Sequence, residues 1–73
     1  MSNLYENMTK ERKIIKHAKT HNLNVVMQLC TKNCVMFTVH EKHLEEMKNF
    51  CQKEFGSCET VEETDQLVMC KVV

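Results

Sequence analysis

The apolar and polar positions of this chain alternate in readable segments. Between residues 3 and 21, Leu4, Met8, Ile15 and Ala18 recur at three- to four-residue spacing, and Tyr5 and Ile14 widen the stripe. That period predicts a helix with one apolar face. Glu11 interrupts the stripe, so part of it is expected to be wet. Ser2 or Asn3 is suited to cap the start, and Asn3 followed by Glu6 fits a capping box. Lys16, Lys19 and His21 fall near the end, where cations suit the helix dipole. Asn22 is a natural left-handed stop.

The next stretch, NVVMQLC-TKN-CVMFTVH, alternates with period two and predicts a β-hairpin. Two registers compete. A two-residue turn at Lys32-Asn33 pairs Leu29 with Met36 and Met27 with Thr38. A three-residue loop, Thr31-Lys32-Asn33, pairs Leu29 with Val35, Met27 with Phe37 and Val25 with Val39. The second makes one face wholly apolar and is favoured, with Asn33 in the left-handed region and Cys30 opposite Cys34. The other face then carries Val26, Gln28, Cys30, Cys34, Met36, Thr38 and His40. It is semi-apolar, so a second layer is expected to cover it in part, either the first helix or another subunit.

Residues 40–55 return to the helical period. Leu44, Met47, Cys51 and Phe55 form the stripe, Phe50 sits at its edge, and Thr38 with Glu41 suggests a capping box. Gly56, the only glycine, falls where a helix-ending glycine belongs. The tail predicts a short strand near 57–62, an acidic turn, and a longer strand over 66–73 that is apolar on both faces apart from Lys71, as if buried on both sides. The expectation is one domain over residues 1–73 with an α+β fold. It has two layers in the order α-β-β-α-β(-β), with an antiparallel or mixed sheet against two helices.

Composition sharpens this picture in two ways. A chain of 73 residues has a small core, about 3–5 kcal/mol of net stabilisation, so self-association is one way to complete it. With one glycine and no proline, regular elements should occupy most of the chain. Formal net charge is zero, so no overall field recruits nucleic acid or acidic membranes. Charge is nevertheless segregated. Lys10, Arg12, Lys13, Lys16 and Lys19 crowd the first helix, whereas Glu54, Glu59, Glu62, Glu63 and Asp65 lie in a stretch without a basic residue. These segments either meet a partner or pair with each other, within one molecule or across a dimer.

The N-terminus has no apolar core of a secretory signal, and no apolar run reaches the ~20 residues needed to span a bilayer. A cytoplasmic protein without membrane attachment is expected. An odd number of cysteines, five, fits reduced thiols used as small hydrophobes.

Specific chemistry is hard to find. His17 and His21 lie four apart and share a helix face, a spacing that can chelate zinc. The sequence between them, AKT, lacks the glutamate base of a metalloprotease, and a site would need two more ligands, from His40, His43 or a cysteine. Cys30 and Cys34 have no second close cysteine pair to make a zinc knuckle. Cys51 and Cys70 sit on buried stripes, and Cys58 follows a helix end, where the dipole disfavours a thiolate. No glycine-rich phosphate loop is present. The sequence therefore predicts neither an enzyme, nor a cofactor, nor a metal site, and no motif is specific enough to point to a family.

What it supports is a small binding or regulatory protein, an inhibitor or adaptor, acting by contact with a protein partner. The basic face Arg12, Lys13, Lys16 and Lys19 and the acidic turn Glu62, Glu63 and Asp65 are the partner-binding candidates. Six methionines suit an adaptable surface. The alternative is a small nucleic-acid-binding regulator using the same basic helix.

Overall fold

The computed structural model describes residues 3–73. Helix α1 spans Leu4–Thr20, β1 Val25–Cys30, β2 Val35–His40, α2 Leu44–Phe55, β3 Glu59–Thr64 and β4 Leu67–Val72, with a short 3-10 turn, Glu41–His43, leading into α2. The order α-β-β-α-β-β makes an α+β fold. All three strand pairings are antiparallel, and the sheet order is β1-β2-β4-β3. Both helices pack on one face, α1 over β1 and β2, and α2 over β2 and β4.

Helix α1 starts as its sequence prescribes. Glu6 N–H donates to Asn3 Oδ1 at 2.9 Å. Ser2, the other candidate cap, lies outside the described residues. The helix stops at Asn22, whose φ of 58° is left-handed. Its buried face differs from the predicted stripe. Asn7, Ile14 and Ala18 are buried, whereas Leu4, Met8 and Tyr5 are exposed, Tyr5 to 78%. The reason is a rotation of the helix about its axis by roughly half the ~100° that separates successive residues. The inward line then runs through positions 7, 11, 14 and 18. Glu11, read as a wet interruption, is half-buried on that line.

Asn7 accounts for the rotation. Its side chain is fully buried, and its Nδ2 donates to the Thr31 carbonyl at 2.7 Å, tying α1 to the β1–β2 turn. Asn7→Ala should lower unfolding free energy by about 1–3 kcal/mol, because the bond is lost and the Thr31 carbonyl loses its partner. Urea denaturation followed by circular dichroism reads this directly. A change below about 0.5 kcal/mol would show that the bond contributes little.

The hairpin uses both candidate registers, one at each end. Val25 pairs with Val39 and Met27 with Phe37, as face matching predicts. Beyond a bulge at Gln28, Leu29 pairs with Met36 and Cys30 with Val35. The favoured loop is therefore corrected: Cys30 does not oppose Cys34, and Asn33 does not have positive φ. Thr31 decides the turn. Its N–H donates to the Cys34 carbonyl at 2.9 Å, and its Oγ1 accepts from Asn33 N–H and Cys34 N–H. The bulge then turns Leu29 outward and Cys30 inward, because one extra residue reverses the two-residue alternation.

Helix α2 buries Met47 and Cys51, with Leu44, Phe50 and Phe55 packed beside them. Gly56 ends it at φ 84°. The predicted Thr38 cap is not used. Thr38 stays in β2, and His40 Nδ1 accepts from Lys42 N–H at 3.2 Å to start the 3-10 turn. The core joins Ile14, Val35, Phe37, Val39, Met47, Cys51, Cys58, Val68, Cys70 and Val72.

The acidic turn is also shorter than predicted. Glu62 and Glu63 belong to β3, and the chain reverses at Asp65, whose φ is 52°. β4 is central in the sheet yet buried on one face only: Val68, Cys70 and Val72 point into the core, while Leu67, Met69 and Lys71 point away from the helices.

Candidate functional site

Because both helices lie on one side, the other side of the sheet has no covering layer among the described residues. Of the two covers expected from the sequence, α1 packs on the opposite face. The strand registers order this open face into rows. One row runs Val26, Thr38, Met69, Glu62. The next runs Leu29, Met36, Lys71, Glu59. A third joins His40, Leu67 and Thr64. Val26 is 60% exposed, Leu67 51% and Leu29 41%. Met36 and Met69 are half-buried between them.

The rows grade in chemistry from one edge to the other. The β1 side is apolar and uncharged. The β3 side is carboxylate-rich, with Glu59 and Glu62 on the open face. Lys71 is the one cation in these rows, and it lies 4.0 Å from Glu59. All six residues of β3, the edge strand, are exposed. Charged side chains on such an edge also discourage strand addition there.

The predicted partner-binding residues fall on separate surfaces. Arg12, Lys13, Lys16 and Lys19 are exposed on the outer side of α1, away from the sheet. Glu62 points to the open face, whereas Glu63 pairs with Val68 and so lies on the helix side, where it is exposed. Asp65 occupies the β3–β4 turn. Among the described residues, none of the four basic side chains forms an ion pair with Glu62, Glu63 or Asp65. The reason is topological: α1 lies over the β1 side of the sheet, and the carboxylates line the β3 edge.

The histidines have structural partners. His17 stacks on Phe50 with ring centroids 3.9 Å apart, and its Nε2 lies 3.2 Å from Glu46 Oε2, so it links the two helices. His21 tilts against His17. His40 Nε2 faces Gln66 Oε1 at 3.2 Å. Among the described residues, no three His, Cys, Asp or Glu side chains are arranged to hold a metal ion. Lys13, Lys16, His17, His21, Phe50 and Glu54 line a shallow cleft between α1 and α2.

All five cysteines are free thiols. Burial, Glu11 and Cys34 together push the Cys30 thiol upward. Cys51 from α2, Cys58 before β3 and Cys70 from β4 all belong to the buried core cluster. Sequence reasoning placed Cys51 and Cys70 inward but missed this convergence. At Cys58, polar interaction with Cys51 and Cys70, with the Lys48 ammonium nearby, lowers the thiol pKa despite burial.

No protein family, no curated protein and no solved structure matches this chain. Among the described residues, no helix is long and apolar enough to cross a membrane. The functional reading therefore rests on the surfaces themselves.

Proposed function

We propose that this chain is a small binding protein that docks a protein partner on the open face of its sheet. The observation that carries this reading is the uncovered apolar patch of Val26, Leu29, Met36, Leu67 and Met69, rimmed by Glu59 and Glu62. An apolar patch with a polar rim is the usual make-up of a protein-contact surface. The rim carboxylates select the occupant's chemistry: an apolar segment flanked by lysine or arginine. The methionines let the surface adapt to it. Of the residues predicted from sequence, Glu62 belongs to this surface, and the basic face of α1 does not.

Panning a phage-displayed peptide library against the immobilised full chain tests this. The expected ligands combine apolar residues with Lys or Arg, and they lose binding to the Val26→Asp/Leu67→Asp double variant. Absence of enrichment, or equal binding to that variant, overturns the reading. So does a sedimentation result in which the wild type is a dimer and the double variant a monomer, since a second copy would then occupy the face.

A second reading keeps nucleic acid as the ligand of α1. It is favoured by the exposed cluster Arg12, Lys13, Lys16 and Lys19 beside the cleft that holds His21 and Phe50. Binding of that kind falls steeply with salt and with Lys13→Glu/Lys16→Glu. A gel-shift titration with mixed-sequence RNA and DNA at two salt concentrations checks it, and no shift at low salt removes it.

A further inference from the structure

We infer that the cleft between α1 and α2 binds a nucleoside monophosphate, with the phosphate on Lys13 and Lys16, the base on the rings of His17, His21 and Phe50, and the base edge on Glu54. The cleft has a volume of about 330 Å³, at the lower end of the ~300–1,000 Å³ that small-molecule sites occupy. Lys13 and Lys16 line it and are exposed. Among the described residues, neither ammonium group has a carboxylate within ion-pair reach, so both charges are free for an anion. The ring wall is already built. His17 stacks on Phe50 with centroids 3.9 Å apart and planes at 16°. His21 tilts against His17 at 4.2 Å, and Phe55 meets Phe50 edge-on at 5.8 Å. The 3.2 Å contact of His17 Nε2 with Glu46 Oε2 holds the His17 ring in place before a ligand arrives.

Three chemistries in one cleft define the ligand. Lysine ammonium groups take a phosphate through charge-assisted hydrogen bonds. Ring faces take a planar heterocycle, because every base has a π-face. These two features alone would serve any aryl phosphate. Glu54 separates the candidates: an ionised carboxylate only accepts, so the ligand ring must present N–H donors. A phenyl phosphate has none. Guanine fits best, because its N1–H and N2–H groups lie side by side and donate to both oxygens of one carboxylate. A cleft of this volume holds one nucleotide, either free or at the end of a strand. It lies on the helix side of the sheet and does not rest on docking at the open face. It shares Lys13 and Lys16 with the nucleic-acid reading of α1, but not Arg12 and Lys19, which line another hollow of that helix.

The test is an amide NMR titration of the isotope-labelled full chain with guanosine monophosphate, uridine monophosphate, guanosine and inorganic phosphate in turn. Guanosine monophosphate should shift the amides of the cleft residues. It should bind about tenfold or more tighter than guanosine or phosphate alone. It should also bind about fivefold or more tighter than uridine monophosphate, whose base offers a single N–H. Lys13→Ala/Lys16→Ala should weaken it about tenfold. Glu54→Ala should bring the two monophosphates within about twofold of each other. All three replaced side chains are exposed, and the wild-type titrations decide even where a variant does not fold. Arg12→Ala/Lys19→Ala should leave nucleotide affinity within about twofold while weakening a nucleic-acid strand laid along α1, which separates the two readings. Tighter binding of a short guanine-ended oligonucleotide assigns the ligand to a strand end, and equal or weaker binding assigns it to the free nucleotide. Shifts confined to amides outside the cleft, phosphate binding as tightly as the nucleotide, equal wild-type affinity for the two monophosphates, or no shift at about 1 mM nucleotide would overturn the proposal.

Discussion

Phe37→Ala should leave the chain largely unfolded at 25 °C. Phe37 is wholly buried at the centre of the sheet's inner face, between its strand partners Met27 and Cys70. Removing a buried phenyl ring costs about 3–5 kcal/mol, part in lost transfer energy and part in the cavity left behind. A domain of this size has a net stability of only about the same magnitude, about 3–5 kcal/mol. The loss therefore consumes the whole margin. Far-UV circular dichroism and a urea titration measure it, and Val26→Ala on the open face is the control, expected to shift stability by no more than about 0.5 kcal/mol. A cooperative transition for Phe37→Ala near the wild-type midpoint would show that the core does not depend on this ring.

The second large effect concerns binding and not folding. Val26→Asp/Leu67→Asp should weaken a ligand of the open face by about thirtyfold or more, the range in which truncating a central contact costs at least about 2 kcal/mol. Both residues point away from the helices and are more than half exposed, so the new carboxylates meet water in the free protein. On docking they would face an apolar surface without a partner, which is the source of the loss. Lys13→Glu/Lys16→Glu changes the opposite layer and should leave the same affinity within about threefold, a small rim or long-range charge effect. Calorimetry on the same peptide with all three chains separates these outcomes. Loss caused by the helix variant, with the face variant unaffected, would move the binding surface to α1.

Much of this architecture was legible locally. The Asn3 cap, the Asn22 stop, the α2 stripe through Met47 and Cys51 and the Gly56 terminus depend on residues within one or two turns of each other. So does the alternation of Val35, Phe37 and Val39. Such features rest on backbone sterics and nearest-neighbour hydrogen bonds, which a short window of sequence contains. The misreadings share another origin. The stripe of Leu4 and Met8 is a genuine apolar line on α1, but the helix turns Asn7 inward because Thr31, 24 residues away, supplies its partner. Single-helix periodicity has no access to that bond.

The candidate site divides along the same boundary. The sequence by itself determined which segments become helix and strand, where α1 starts, where both helices stop, and that charge is segregated between α1 and the β3–β4 region. It also determined that the hairpin has two plausible registers, since each satisfies a different local preference. Only the tertiary structure decided between them. The bulge at Gln28 admits the Thr31 turn at one end and the Met27–Phe37 pairing at the other, and so exchanges the faces of Leu29 and Cys30. Packing of both helices on a single side then left Val26, Met36, Leu67 and Met69 uncovered. The sheet order placed the acidic strand on the edge away from α1. It also brought Cys51, Cys58 and Cys70 together from separate elements. Register, layer and sheet order are set by the summed burial of side chains distant in sequence, which is why no local pattern along the chain contains them.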